Sequence, residues 1–516
     1  MIPPHRQPPT AFPCRPLRLV LALVLVLAPG LRSAPPEDTV AGLGARIEAL
    51  LGAPRFAAAS WGVQVVSLAS GRTLFEHDAR KLLVPASSAK LFTAALALHL
   101  LGPEFRIRTS LYGPGRPGAD GVLRGDLVFH GRGDPAILQP GSGADPLEAL
   151  AEQLRAAGVR AIAGDLVGDD SHFATPPYGS GWETGDLQLA YGAAPSALTV
   201  HGNAVDLWVY PGAAAGQPCF LFAMPGHGVV PLLNQTTTGT GGLGIQVERP
   251  LGDPRIRVTG SLPPGGPPLR LAVTVADPAL FAAQLLHRAL LRHGIAVAGR
   301  VRSRHFQDPG PAPEALALLE LAHLDSPPLL ELVRATLKDS VNLNAQLLLL
   351  QAGALNPGEN PANSEQRGLT ALGAFLGVAG VAPSQVLLEE GSGLSRKNLV
   401  TPAALVDLLR YLSRQPAAAA FRNTLPLAGA DGTLASRMLG TAAQFNVQAK
   451  TGTLRYTHSL AGYVTSAAGE PLAFAVMLNN YRYDAAAVPA APAPRADLDA
   501  IAILLAEFRG LSSPTP

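Results

Sequence analysis

Ser87 and Lys90 are the two side chains whose types and spacing best suit nucleophilic catalysis in this chain. Three residues apart at the start of a helix, the hydroxyl and the amine lie on one face about one turn apart. Burial and cationic neighbours can lower the pKa of a lysine until it accepts a serine proton. The chain has five lysines, and Lys90 alone has a serine three positions earlier. The pair predicts a serine nucleophile with a lysine base, although Ser-x-x-Lys is short and also arises by chance.

A second short motif, Ser340-x-Asn342, stands at the predicted start of a later helix. The hydroxyl could relay a proton, and the amide could fix both a lysine and a substrate carbonyl. The alternative is a plain helix N-cap, a position that serine favours strongly.

The third motif is the run from Lys450 to Thr453, predicted to lie at the end of a strand. Lys450 and the hydroxyl of Thr451 can hold a carboxylate, and the N–H of Thr453 can complete an oxyanion hole. The alternative is a turn that carries a solvated lysine.

The elements that must position these motifs follow from the apolar pattern. An amphipathic helix over 37–51 and a hairpin with strands at 61–68 and 72–77 precede the Ser87 helix, which indicates a sheet with helices packed on it. The texture then changes to short β-like runs between Gly and Pro clusters. Long helical patterns return from residue 325. We expect a catalytic domain in two segments, 35–102 and 306–516, around an inserted β-rich unit at 103–305.

Composition and the N-terminus limit the function classes. The chain has 516 residues and a formal net charge of +2, so there is no electrostatic case for nucleic acid as a partner. Three arginines precede an apolar run at 19–28 that is too short to span a bilayer, which is typical of a signal peptide. We assign the signal peptide to 1–34 and expect an exported protein, periplasmic or extracellular, with no stable membrane span after cleavage. An uncleaved anchor is the alternative.

Ser-x-x-Lys, Ser-x-Asn and Lys-Thr-Gly in this order are the signature of penicillin-recognising serine acyl enzymes. The chain resembles the D-alanyl-D-alanine carboxypeptidase/endopeptidases of the penicillin-binding-protein-4 type, peptidase family S13. The resemblance also covers the stretches 181–197, 390–402 and 425–434. It implies an α/β (α+β) fold, with a β-lactamase-like transpeptidase domain (an antiparallel sheet flanked by helices) and a large β-rich insertion. About 250 positions separate Lys90 from Ser340, which agrees with such an insertion.

The resemblance also implies the roles of individual residues. Ser87 would be acylated with Lys90 as its base, Ser340 would pass a proton to the leaving D-alanine, and Asn342 would position the substrate amide. Further substrate contacts would come from Lys450, Thr451, Thr453, Arg396, Asp169 and Phe173, the last three as a patch that reads the diaminopimelate side chain. The implied substrates are peptidoglycan stem peptides, with β-lactam antibiotics as covalent inhibitors and with no cofactor or metal.

Two positions depart from the family pattern, and two other functions stay open. Val341 stands where an acid is commoner in Ser-x-Asn, and Glu390 stands where aspartate is usual. One alternative is a β-lactamase or esterase on the same scaffold, although the Glu-x-x-Leu-Asn motif of class A β-lactamases is absent. The other alternative is a wall-binding scaffold with a dead site.

Overall fold

The computed structural model describes residues 37–138, 145–174, 176–242, 244–308, 317–355, 363–482 and 493–512. The predicted signal peptide, 1–34, lies outside these ranges. Within them the α-helices are α1 Val40–Leu51, α2 Lys90–Leu101, α3 Pro146–Ala156, α4 Pro278–Arg292, α5 Leu329–Lys338, α6 Asn342–Ala354, α7 Ser364–Ala379, α8 Pro402–Leu412, α9 Ala418–Arg422 and α10 Pro494–Glu507.

The strands of the same ranges are β1 Ser60–Ser67, β2 Thr73–His77, β3 Arg108–Gly113, β4 Val122–Leu123, β5 Leu127–His130, β6 Ala161–Ile162, β7 Leu166–Asp169, β8 Ala204–Tyr210, β9 Phe220–Met224, β10 Leu232–Thr238, β11 Gln246–Glu248, β12 Ile256–Leu262, β13 Leu269–Thr274, β14 Ala296–Val297, β15 Val301–Arg304, β16 Leu319–Asp325, β17 Val386–Leu387, β18 Leu399–Val400, β19 Gln448–Leu454, β20 Thr457–Thr465 and β21 Pro471–Asn479. The predicted hairpin is confirmed as β1 and β2, which pair antiparallel.

A five-stranded antiparallel sheet in the order β19-β20-β21-β1-β2 forms the centre of the catalytic domain. Side chains alternate along β21, because successive residues of a strand point to opposite faces. Phe474 and Val476 join the core that includes α1 and α10, whereas Ala475 and Met477 join the core that includes α2 and α8. Both faces are therefore covered by helices, which explains why β21 is an almost continuous apolar run.

The inserted unit lies between α2 and α5 and has its own apolar core. Its largest sheet is mixed, with the order β15-β7-β5-β3-β16, and α4 packs against β7 and β15. Strand β16 pairs antiparallel with β3, from Leu319 opposite Gly113 to Asp325 opposite Arg108. We therefore place the end of the insertion near Asp325. The boundary predicted at 305 leaves β16 out of the insertion. Local patterns do not show that β16 belongs there, because its partner strand lies some two hundred residues earlier.

None of the helices in the described ranges combines the length and the apolar composition that a membrane span requires.

Candidate active site

Ser87 lies on the short 3₁₀-helix Ala86–Ala89, directly before α2. Ser459 of β20 holds this turn: its hydroxyl donates to the carbonyl of Pro85 at 2.7 Å and lies 2.7 Å from the hydroxyl of Ser88. Ala86 has φ of +48°, a conformation that is costly for a residue with a side chain and persists only where the surroundings enforce it. The turn leaves Ser87 partly exposed while its neighbours are buried.

Lys90 is fully buried, and its Nζ contacts three oxygens. The distances are 2.9 Å to Ser87 Oγ, 2.6 Å to Asn342 Oδ1 and 2.6 Å to the backbone oxygen of Ser392. Burial lowers the pKa of Lys90 from 10.5 to about 7, and the negative charge of Glu390 opposes this shift. At neutral pH a large part of Lys90 is therefore uncharged and able to accept a proton.

Ser340 is brought to the same site by Lys450, whose Nζ lies 2.8 Å from its hydroxyl. Ser340 is not the N-cap residue of α6, because Val341 takes that place. Its φ of +60° turns the chain between α5 and α6. Lys450 is fully buried and also donates to the backbone oxygen of Thr451 at 2.8 Å. Its pKa is held well below the ordinary value, first by burial and then by the positive charge of Lys90.

The Lys450–Thr453 motif lies within β19, the edge strand of the sheet, and not at its end as the sequence suggested. The strand continues because β20 pairs with it as far as Leu454. Gly452 serves the nucleophile turn: a Cβ on it would lie 2.6 Å from the carbonyl oxygen of Pro85, so glycine is required for this close approach. Thr451 Oγ1 donates to Thr433 Oγ1 at 2.7 Å.

Ser87, Ser340 and Thr453 open into a cavity of about 510 Å³, and the buried Lys90 and Lys450 reach it through their contacts with the two serines. Its lining residues are Ser87, Glu183, Asp186, Tyr191, Ser340, Asn342, Gly393, Leu394, Arg396, Thr453, Leu454 and Arg455. One wall comes from the insertion, through a stretch that we call the 176–192 segment. The side-chain amide of Asn342 donates to the backbone oxygen of Tyr191 at 2.9 Å, and Arg396 Nε donates to Glu183 Oε1 at 2.7 Å. Both domains thus form the cavity.

The structure does not bring Asp169 and Phe173 to this cavity. Asp169 is fully buried at the end of β7, where Arg304 Nη1 donates to it at 3.4 Å and His130 lies at 3.6 Å. Phe173 is buried in a small apolar cluster with residues of α6. Acidic groups at the cavity come instead from Glu183 and Asp186, and of the predicted patch only Arg396 lies there. The sequence motifs do not show which aspartate of the insertion lies at the cavity.

The sequence did not identify two supporting contacts, that of Thr433 with Thr451 and that of the Glu390 loop with Lys90. Glu390 is fully buried and accepts five hydrogen bonds from the loop that follows it, including those of the Ser392 N–H and the Asn398 side chain. This loop carries the carbonyl of Ser392 to Lys90. The family resemblance covers the stretches 390–402 and 425–434, but the roles of these residues follow only from their contacts in the structure. In the described residues there is no group of three or more His, Cys, Asp or Glu side chains placed to hold a metal ion.

The chain is similar to known proteins over most of its length. The model of the D-Ala-D-Ala carboxypeptidase 3 (S13) family matches residues 43–502. The chain is 37% identical over 480 residues to the D-alanyl-D-alanine carboxypeptidase of Actinomadura sp. (strain R39). The match covers 91% of this chain and 85% of that relative.

Two solved structures of penicillin binding protein 4 (dacB) from Haemophilus influenzae have a similar fold. One matches with a TM-score of 0.76 and 27% identity, over 88% of this chain and 97% of that chain. The other, complexed with a novel β-lactam, matches with a TM-score of 0.70 and 26% identity, over 89% and 97% of the two chains. The predicted fold, a β-lactamase-like transpeptidase domain with an insertion, is confirmed.

Proposed function

The chain belongs to the D-Ala-D-Ala carboxypeptidase 3 (S13) family, and we propose that it removes the terminal D-alanine of peptidoglycan stem peptides through an ester on Ser87. In the first step Ser87 Oγ bonds to the carbonyl carbon of the penultimate D-alanine, and the hydroxyl proton passes to Lys90. The peptide bond breaks and the terminal D-alanine leaves with a proton delivered through Ser340. Water then hydrolyses the ester and restores the serine.

The observation that carries this proposal is the set of three contacts at Lys90 Nζ. Two of the partners, Asn342 Oδ1 and the backbone oxygen of Ser392, can only accept hydrogen bonds. A neutral amine has two N–H groups, and these two oxygens use both of them. Its lone pair then faces Ser87 Oγ, which is 2.9 Å away. This is the arrangement that a general base for the serine hydroxyl requires.

The cavity also suits the rest of the substrate. Lys450 and the hydroxyl of Thr451 would provide hydrogen-bond donors for the terminal carboxylate, and the N–H groups of Ser87 and Thr453 would bind the oxyanion. Glu183, Asp186 and Arg396 present both signs of charge at the mouth. A stem residue whose side chain carries an ammonium and a carboxylate matches that pattern.

Three finer features belong to the same proposal. We expect endopeptidase activity on cross-links, because an open cavity lined by both domains has room for a second stem peptide in the place of the leaving D-alanine. We expect β-lactams to acylate Ser87, as the complex of a related fold supports. The wall substrate requires export, which the signal-like residues 1–34 would direct.

The test combines mass spectrometry with a product assay. The purified protein is incubated with benzylpenicillin and digested, and the adduct is mapped, while D-alanine release from a stem pentapeptide is measured in parallel. A stable adduct on the Ser87 peptide with D-alanine release is expected. Ser87→Ala should lose the adduct and at least about 10³-fold in turnover.

The same experiment separates the alternatives. Penicillin that is consumed without a stable adduct would indicate a β-lactamase. Muropeptide binding with intact penicillin and no released D-alanine would indicate a wall-binding scaffold. Full turnover by Ser87→Ala would refute the mechanism.

A further inference from the structure

Glu365 is a buried carboxylate that the proposed chemistry does not use. It lies in the first turn of α7 and is 1% exposed. Its partners are two groups of Ser180, in the 176–192 segment, and one side chain of α6. The hydroxyl of Ser180 donates to Oε1 at 2.5 Å, and the N–H of Ser180 donates to Oε2 at 3.2 Å. Gln346 Nε2 also donates to Oε2, at 2.5 Å.

The 176–192 segment has little apolar packing of its own. Within this fully described stretch only Gly179, Leu187 and Gly192 are buried. It nevertheless carries Glu183, Asp186 and Tyr191 to the cavity. Hydrogen bonds from its neighbours therefore contribute most to its position. Arg249 and Thr274 hold the later part of the segment at Leu187, and the earlier part is held at Ser180 by Glu365.

The start of α7 is well placed to define the path of the segment. Immediately before the segment, Ala174 exchanges two hydrogen bonds with Ser364: the N–H of Ser364 donates to the Ala174 carbonyl at 2.6 Å, and the N–H of Ala174 donates to Ser364 Oγ at 3.0 Å. The bonds of Ser180 to Glu365 follow six residues later along the segment. Beyond them lie the residues that line the cavity.

Gln346 connects the same carboxylate to the catalytic loop. Its Oε1 accepts from the N–H of Gly391 at 2.8 Å, and the next residue, Ser392, supplies the carbonyl that contacts Lys90. Gln346 also lies one turn after Asn342 on α6, so both face the same side of that helix. Glu365 therefore contacts the insertion directly and the Lys90 loop through one side chain.

We propose that Glu365 is a positioning residue that fixes the 176–192 segment over the cavity, so that Glu183, Asp186 and Tyr191 can bind a peptide substrate. The inference rests on the proposed function, because it assigns the segment to binding of the stem peptide. A small β-lactam that reacts with Ser87 depends mainly on the motif residues and much less on the segment. Loss of Glu365 should therefore separate the two kinds of substrate.

The geometry predicts that glutamine can replace Glu365. Burial raises the pKa of this carboxyl, and the hydrogen bonds from Ser180 and Gln346 oppose the shift. In Glu365→Gln the amide oxygen can take the place of Oε2 and accept from both N–H groups. The amide nitrogen then faces Ser180 Oγ, and a hydroxyl can accept as well as donate. Alanine keeps none of the three bonds.

The experiment compares Glu365→Ala and Glu365→Gln with the wild type on two reactions. One is D-alanine release from a stem pentapeptide, reported as kcat and KM, and the other is the second-order rate of acylation by benzylpenicillin. Glu365→Ala should lower kcat/KM for the peptide by about 10- to 100-fold, mainly through KM, since two hydrogen bonds to the segment are lost. Acylation should stay within about threefold of wild type, and Glu365→Gln should retain both rates within about threefold.

Glu470 provides a matched control. It is also buried, at 6% exposed, and accepts from Ser67 Oγ at 2.5 Å and from the N–H of Ser512 at 2.9 Å, away from the 176–192 segment. Glu470→Ala should lower thermal stability and leave the ratio of peptide to penicillin rates unchanged. Ser180→Ala provides a second variant with an intact α7 and should lower the peptide rate by about 3- to 10-fold.

The outcomes are distinct. Equal losses on both substrates in Glu365→Ala and Ser180→Ala, or the same change of ratio in Glu470→Ala, would overturn the inference. A wild-type protein that neither forms the adduct nor releases D-alanine would instead overturn the proposed function.

Discussion

Acylation of Ser87 should slow about fivefold from pH 7 to pH 6 and about tenfold from pH 6 to pH 5, because only neutral Lys90 can accept the serine proton. With a pKa of about 7, roughly half of Lys90 is neutral at pH 7, about 9% at pH 6 and about 1% at pH 5. A lysine at its ordinary value of 10.5 would be only about 0.03% neutral at pH 7. Burial disfavours the charged form of Lys90, so the neutral amine that acts as the base persists to lower pH. The acylation rate therefore reaches its plateau above pH 8.

The assay is the second-order rate of acylation by a fluorescent penicillin, measured from pH 5 to pH 10 at constant ionic strength. Circular dichroism at each pH verifies that the protein remains folded. A rate that does not change between pH 5 and pH 8 would show that Lys90 is not the base. A midpoint near 10 would show that burial does not lower the pKa of this lysine.

The charged groups that face Lys90 are Glu390 and Lys450, and Lys450 needs its own control because it is a second buried lysine in the same site. Two interacting groups titrate as a pair, so the midpoint alone does not identify the residue. Lys450→Arg keeps a permanent positive charge that repels a proton from Lys90. The pH profile of acylation should still show a midpoint, at a lower pH than in the wild type. Its disappearance would assign the titration to Lys450.

Three substitutions test other parts of the structure. Ser340→Ala removes the hydroxyl that lies 2.8 Å from Lys450 Nζ; penicillin acylation should fall by about 10²-fold or more, at an unchanged melting temperature. Gly393→Ala places a Cβ about 2.0 Å from the carbonyl oxygen of Ala86 at a φ of +81°; it should disrupt the nucleophile turn and abolish acylation. Phe474→Ala empties a fully buried site in β21; urea unfolding should show a loss of about 3–5 kcal/mol.

Each of these has an outcome that contradicts it. Wild-type acylation by Ser340→Ala would exclude a proton relay through that hydroxyl. Gly377→Ala is the control for Gly393→Ala, because no atom lies within 4 Å of the added Cβ; equal effects of the two would discount the turn. Val378→Ala, at a side chain that is 61% exposed, should change the free energy of unfolding by less than about 0.5 kcal/mol. A loss as small as this in Phe474→Ala would contradict the assigned core.

The three motifs were readable in the sequence because each depends on local spacing. Ser87 and Lys90 lie on one face wherever a helix begins at that point, and the hairpin before them follows from alternation and a turn. The family resemblance then supplied the roles, since the order of the motifs along the chain is itself a sequence property. The motif from Lys450 to Thr453 was predicted to end its strand, whereas the strand continues to Leu454, because its end depends on how far β20 pairs with it.

What the tertiary structure decided is which distant residues surround these motifs. The partners of Lys90 lie at Asn342 and Ser392, far along the chain, and its pKa depends on the burial that they create. Asp169 was chosen for its type, yet the fold buries it in the insertion and brings Glu183 and Asp186 to the cavity. Desolvation and pairing arise only when separate segments pack together, so a local pattern can identify the reacting groups and cannot identify what surrounds them.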